Sequence, residues 1–365
     1  MTSDNYFESI ISRFRVEGEF YDYSVLSLGH INESYVITTR KGIFKRNYFL
    51  QKINNLVFPN TTELSENIYR LTCRMKEFYK DMHCMYPLEL ILTKKNEYEH
   101  IDRKSQHWRL FNFIPNGYSK NTVDSEYMAY EGGKAFGIFQ RMLNEIPIDE
   151  MHTTISHFHD MNLRLNHFEK AVENSGERKA NALDEIAFVS ERKELRFLIE
   201  DLMKEGLPWR ITHNDTKINN LIFDNDLNKV KSVVDLDTVM KGTVIFDFGD
   251  MMRTFCSTAE EDEADLSKVT INLRYLQSLA EGYIWELEKD LNRCELDNLY
   301  ISGKYMCFIM GVRFLTDYLE DDHYFKISYP EHNLVRAKNQ LKLVRELEIH
   351  EAEIKKIISD LVENY

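Results

Sequence analysis

The sequence predicts an α+β chain in two parts, a strand-rich stretch to about Ile114 and a predominantly helical remainder. Three observations carry that expectation. Apolar and polar residues alternate in three runs between Tyr23 and Ile53, the signature of half-buried strands. After Pro115 the apolar spacing becomes helical. Within that helical part, Leu221 to Val234 breaks the pattern with two short apolar runs about the turn-rich Asp224-Asn225-Asp226. The expected domains are residues 1–114 and 115–365.

Phe7, Ile10, Ile11 and Phe14 recur at helical spacing and predict a first amphipathic helix over Tyr6 to Phe14. Tyr23 to Leu28, Glu33 to Thr39 and Asn47 to Ile53 are the three strands, with Gly29 and Gly42 marking turns. A helix from about Leu64 to Lys80 follows, then a strand from His107 to Ile114 ended by Pro115-Asn116-Gly117. Ser125 to Leu143 is helical despite Gly132, Gly133 and Gly137. Glycine weakens a helix, so close approach of a neighbour is the expected reason. His157 and His159 share a face only in a strand, so His157-Phe158-His159-Asp160 reads as a loop or helix start rather than a metal site. Asp184 to Lys204 and Tyr300 to Glu320 read as helices, with Arg313 and Asp317 four apart on one face and able to pair. Glu260-Glu261-Asp262-Glu263 reads as a solvated helix start, and Leu334 to Val362 as one long amphipathic helix.

Composition excludes several classes. With 365 residues, 43% hydrophobic and 29% charged, the chain can bury a large core and is not disordered. Its 46 basic and 60 acidic residues give a formal charge of −14, which repels nucleic acid and anionic lipid. The five cysteines, at 73, 84, 256, 294 and 307, have neither disulfide-framework nor metal-ligand spacing and read as thiols of a reducing compartment. The first residues lack a basic region and an apolar core, and no run of 18 apolar residues occurs. The expectation is a soluble cytoplasmic protein with no nucleic acid, membrane or evident protein partner.

Residues Ile211 to Asp250 hold the densest chemistry. His213-Asn214-Asp215 is followed five positions later by Asn220, the spacing of a kinase catalytic loop, in which the Asp accepts the substrate hydroxyl proton and the Asn binds magnesium. Folding the hairpin that follows about Leu227 and Asn228 is expected to return Asp235 beside Asn220, so that a carboxylate and an amide oxygen converge on one hard cation. Asp237, two positions past Asp235, is expected to stand behind the metal acid rather than on the metal. Asp247-Phe248-Gly249 spells the magnesium motif of protein kinases, but it lies twelve residues beyond Asp235 and the hairpin does not return it to Asn220. It is read instead as a loop entering a helix near Asp250, with Asp247 or Asp250 capping backbone amides.

A kinase reading assigns roles upstream. Lys52 lies on the third strand, where kinases place the lysine that pairs with nucleotide phosphates, and Glu66 or Glu63 on the next helix is its expected partner. Phe113 and Ile114, at the end of the strand before Pro115, are the expected hinge, bonding adenine through the backbone.

Together these motifs resemble the aminoglycoside phosphotransferase and choline kinase superfamily, small-molecule kinases with a two-lobed, protein-kinase-like α+β fold. Thr212-His213-Asn214-Asp215-Thr216-Lys217, Val234-Asp235-Leu236-Asp237-Thr238 and Phe246-Asp247-Phe248-Gly249-Asp250 are more closely similar to the bacterial N-acetylhexosamine 1-kinases, as are Gly29-His30-Ile31-Asn32, Arg313-Phe314-Leu315 and Tyr329-Pro330-Glu331-His332. The resemblance implies ATP and Mg2+ as cofactors and an N-acetylhexosamine as acceptor. It also implies His30, Asn32, Arg313 and Tyr324 as substrate contacts, beside Asp215 as base, Asn220 and Asp235 on the metal and Lys52 on the phosphates. Choline, homoserine or an aminoglycoside remains an alternative acceptor, and a catalytically silent kinase-like binding protein is a further alternative.

Overall fold

The computed structural model describes residues 3–26, 31–82 and 85–363. The expected α+β architecture is present. Helix α1 (Ser3–Ile11) precedes strands β1 (Glu19–Leu26), β2 (Glu33–Lys41) and β3 (Phe44–Ile53), followed by α2 (Thr61–Phe78), β4 (Leu90–Ile91), β5 (His100–Ile101), β6 (His107–Asn112) and β7 (Gly117–Tyr118). Helices α3 (Glu126–Leu143), α4 (Met161–Asn174), α5 (Leu183–Ser190) and α6 (Leu198–Lys204) come next. Strands β8 (Arg210–Thr212), β9 (Leu221–Asp224), β10 (Val230–Val233) and β11 (Met240–Gly242) interrupt them before α7 (Val244–Phe255), α8 (Leu273–Leu287), α9 (Arg293–Leu319), α10 (His332–Ile349) and α11 (Glu351–Glu363).

The chain divides into two compact units. The first comprises Met1–Tyr118, Asp149–Ile155 and Ile222–Val239, and the second Ser119–Ile148, Ser156–Leu221 and Met240–Tyr365. A single boundary near residue 114 therefore does not describe the chain, because two later segments return to the first unit. Hydrogen bonds explain why. Strand β9 pairs with both β10 and β7, and the Tyr86 N–H donates to the Lys231 carbonyl at 2.6 Å. The Asn67 amide clasps the His152 backbone, donating to its carbonyl at 2.8 Å and accepting from its N–H at 3.0 Å.

In the first unit the antiparallel sheet runs β1-β2-β3-β6-β4, with β5 also on β6. The β3–β6 register sets Gln51 opposite Arg109 and Lys52 opposite Trp108. Side chains alternate across a sheet, so these two pairs occupy opposite faces. The Trp108 face is covered by α1: Phe7, Ile10, Ile11 and Phe14 pack with Ile37, Tyr48, Leu50, Trp108 and Leu110. Burial of these large side chains is the main source of stability for that layer, roughly 1.5–3 kcal/mol each.

In the second unit the glycines of α3 allow contact with α8. A Cβ on Gly133 would overlap the Leu279 carbonyl, and one on Gly137 would lie 3.1 Å from the Tyr283 carbonyl. Asn292 and Glu295 form a reciprocal capping box at the start of α9. Glu295 also pairs with Arg210 at 2.6 Å, which ties β8 to that helix end. Asp160 caps α4, its carboxylate accepting from the Leu163 N–H at 3.0 Å, so the His157 to Asp160 stretch is a loop entering a helix.

Several helical expectations need correction. The stretch from Asp184 to Lys204 is α5 and α6 separated by a 3-10 turn over Lys193–Phe197, and the long C-terminal helix stops at Ile349 and restarts at Glu351. The acidic run at 260–263 lies in a turn, not at a helix start. Helix α7 begins at Val244, so Asp247 and Asp250 sit inside it.

Candidate active site

In the second unit, β8 leads into the loop carrying Asp215. Asn214 has a left-handed backbone, φ 62°, which turns the chain sharply before Asp215. The loop is clamped from α7, where the Asp247 carboxylate accepts from the N–H groups of His213 at 2.8 Å and Asn214 at 2.6 Å. The Thr216 hydroxyl donates to the Asp247 carbonyl at 2.6 Å. Asp247 thus satisfies backbone amides, as a cap does, but those of a distant loop rather than of its own helix. Burial pushes its pKa up to about 7, against the two N–H groups that favour the carboxylate.

A third hold comes from His159, whose Nε2 lies 2.9 Å from the Asn214 carbonyl. A carbonyl only accepts, so Nε2 carries the proton. Burial drives the His159 pKa down to about 3 and keeps the ring neutral. The Asn214 amide donates to the carbonyls of Thr212 and Met240, at 3.1 and 3.2 Å, joining the loop to β11.

On this frame Asp215 is half-buried beside Lys217, with Nζ 3.1 Å from Oδ2. The 3-10 turn Ile218–Asn220 curls Asn220 back, so its Nδ2 donates to the Asp215 carbonyl at 2.7 Å and to Oδ2 at 3.0 Å. Burial alone would raise the Asp215 pKa. The Lys217 charge, His213 and the Asn220 amide outweigh it and hold the group below the usual carboxylate range. Lys217 was not singled out from the sequence; its place two residues after Asp215 was the available signal.

Arg313, on α9, is buried among the rings of Phe158, Tyr324 and Phe325, whose centroids lie 5.3, 5.8 and 5.4 Å from its guanidinium carbon. Burial lowers its pKa, and the charge of Asp215 is among the influences on it. The Arg313–Asp317 pair suggested by spacing does not form. Asp317 instead accepts from the N–H groups of Tyr324 at 2.7 Å and Phe325 at 2.9 Å, and from the Asn333 amide at 2.8 Å. It therefore holds the segment that brings Tyr324 over the arginine. Burial and the charge of Arg313 also pull Arg164 down to about 10.

In the first unit Asp235 is exposed on a left-handed turn, φ 60° and ψ 61°, two residues beyond the end of β10 at Val233. Asp237 is buried. Its carboxylate meets Arg109 at 2.6 Å (Oδ1 to Nη1) and 2.8 Å (Oδ2 to Nη2), and accepts from the Asn32 amide at 2.7 Å. Asn32, expected at the substrate, is thus engaged with Asp237 and with the Asn54 N–H, which donates to its Oδ1 at 2.9 Å. His30 lies outside the described residues.

Lys52 is ion-paired with Glu33 of β2 and lies on the sheet face covered by α1, opposite the face that carries Gln51, Arg109 and Asp237. Its partner is not Glu66, which pairs with His152 at 3.1 Å. Phe113 and Ile114 leave β6 beyond Asn112, and Phe113 borders an open pocket of about 850 Å³ shared with Arg46, Tyr48, Tyr86 and Asn112.

The fold is similar to several solved small-molecule kinases. A microcompartment-associated aminopropanol kinase aligns at 13% identity over 96% of this chain and 98% of that chain, with a TM-score of 0.65. A spectinomycin phosphotransferase, solved with ADP and spectinomycin, aligns at 14% identity over 92% of this chain and 94% of that chain, TM-score 0.57. The choline kinase of Cryptosporidium parvum Iowa II aligns at 14% identity over 93% of each chain, TM-score 0.52. At such identities the likeness defines the class of fold, a kinase-like α+β protein. Residues 22–280 match the phosphotransferase enzyme family, and the chain belongs to it.

Proposed function

We propose that the protein transfers the γ-phosphoryl group of ATP to the anomeric hydroxyl of N-acetylglucosamine or N-acetylgalactosamine. The observation that carries the chemistry is Asp215, held ionised by Lys217 and Asn220 on a loop fixed by Asp247. Asp215 orients the acceptor hydroxyl and takes its proton as the oxygen attacks phosphorus, and ADP leaves. Lys217 supplies positive charge beside the transferring group.

Asn220 and Asp235 are the proposed magnesium ligands, each an oxygen donor of the kind a hard cation takes. The Asn220 NH2 is committed to Asp215, which leaves Oδ1 as its cation-facing end, and Asp235 displays a carboxylate on an exposed turn. Magnesium held by such donors would neutralise phosphate charge. Phe113 and Ile114, beyond the end of β6, remain the proposed adenine contacts. Lys52, on the α1 face, is left out of the phosphate site.

Arg313 supports the sugar acceptor. Among the described residues no carboxylate pairs with this buried guanidinium, which is aromatic-lined and within electrostatic range of Asp215. A cationic acceptor such as choline or an aminoglycoside would meet repulsion there, whereas a neutral acetamido sugar offers carbonyl and hydroxyl acceptors. Tyr324 supplies a flanking ring. A reducing, ATP-rich compartment fits such an enzyme, which supports the cytoplasm as its location.

ADP release should be measured with Mg2+ and ATP against both hexosamines, choline, homoserine, 1-aminopropan-2-ol and kanamycin, with phosphorus NMR of any product. An anomeric phosphate made by the parent but not by Asp215→Asn supports the proposal. Turnover only with an amine acceptor overturns the sugar assignment, and near-normal turnover by Asp215→Asn overturns the base.

A further inference from the structure

We propose that Arg109 is a positioning residue for the metal-binding turn, acting through Asp237 to fix the direction in which Asp235 presents its carboxylate. The inference rests on the reading of Asp235 as a magnesium ligand.

The turn after β10 has two acids of opposite fate. Asp235 is exposed in a left-handed conformation, while Asp237, within the 3-10 turn Leu236–Thr238, is 3% exposed. Arg109, itself 1% exposed, rises from β6, which is bonded to β3 and β4 and is a rigid base. Its fork grips both Asp237 oxygens, and its Nε and Nη2 also donate to Gln51 Oε1, at 3.0 and 2.7 Å. Asn32 adds a donor to Asp237 Oδ2, and the Thr154 hydroxyl donates to the Asp237 carbonyl at 2.7 Å. The segment is therefore held at side chain and backbone together.

A buried ion pair is an expensive way to anchor a turn, since desolvation consumes much of the Coulomb gain and apolar packing serves as well for stability. What the fork adds is direction: the Nη2–Oδ2 hydrogen bond at 2.8 Å and the Nη1–Oδ1 ion contact at 2.6 Å reach both carboxylate oxygens and set its orientation. A single 3-10 turn transmits that orientation to Asp235. Arg109 is too buried and too fully engaged to bind phosphate itself. The neighbouring strand position that would have supplied a lysine on this face is Gln51, which accepts from the arginine instead.

The test compares Asp235→Ala with the apolar double variant Arg109→Met/Asp237→Leu, which keeps the turn packed, and with Thr154→Val as a milder perturbation. ADP binding is measured calorimetrically with and without Mg2+, Mn2+ binding by electron paramagnetic resonance, and Mg2+ dependence by turnover. The double variant should fold, keep metal-free ADP affinity within about twofold, and need at least tenfold more Mg2+ for half-maximal turnover and for its effect on ADP binding. Thr154→Val should move in the same direction by a smaller factor. Parental Mg2+ and Mn2+ dependence in the folded double variant, with loss in Asp235→Ala, would overturn the positioning role and leave Asp235 standing. Unchanged metal dependence in Asp235→Ala would overturn the ligand reading and this inference with it. Equal loss of ADP affinity with and without metal would mark Arg109 as structural only.

Discussion

The Asp247 carboxylate accepts the backbone N–H of Asn214 at 2.6 Å, so the residue before the proposed base is held by a side chain from α7 rather than by its own loop. Asp247→Asn keeps the shape but turns an NH2 toward one of two N–H donors. Loss of a buried hydrogen bond costs about 1–3 kcal/mol. A displaced base lowers turnover, here by about 10–100-fold, with ATP KM changed far less. Steady-state kinetics beside a denaturant titration would check both.

His159 makes stability depend on acidity. Its folded pKa is about 3 and its unfolded value about 6.5, so the unfolded chain takes up a proton that the fold refuses. The contribution is complete above pH 6.5 and is lost as pH falls toward 3, at about 1.4 kcal/mol per pH unit. His159→Gln retains a donor for the Asn214 carbonyl and lacks the titration. Urea unfolding of both proteins between pH 7 and about 4 should therefore converge or cross, the parent losing more.

Gly133 packs against the Leu279 carbonyl with no room for a methyl group. Alanine favours helix by about 1 kcal/mol, yet separating α3 from α8 costs more, so Gly133→Ala should destabilise by about 1–3 kcal/mol. A raised melting temperature would mean that the two helices separate at little cost.

Arg313→Met removes the charge and keeps most of the volume among Phe158, Tyr324 and Phe325. The hexosamine KM should rise at least tenfold with ATP KM nearly unchanged, and any weak turnover of choline should improve as the repelling cation disappears. An unaltered hexosamine KM would remove Arg313 from the acceptor site.

Local patterns made much of the fold legible, and with it the loop and the hairpin that carry the candidate site residues. The three N-terminal strands, the β9–β10 hairpin and the loop from His213 to Asn220 are each built from contacts between near neighbours, and alternation or turn residues report those directly. Helix breaks were harder. The stop at Ile349 leaves the apolar stripe intact, and the kink at Lys193–Phe197 has no Gly or Pro to announce it.

The sequence by itself determined the α+β order and where Asp215, Asn220 and Asp235 fall relative to the loop and the hairpin, because each depends on spacing along one chain. Tertiary structure decided which neighbours those groups have. Lys52 and Gln51 are adjacent, and only the pairing of β3 with β6 says which shares a face with Arg109. Arg109 and Asp237 are 128 residues apart, as remote in pattern as any two polar residues. Only the fold of the first unit, which sets β6 beside β3 and includes the segment 222–239, brings them together.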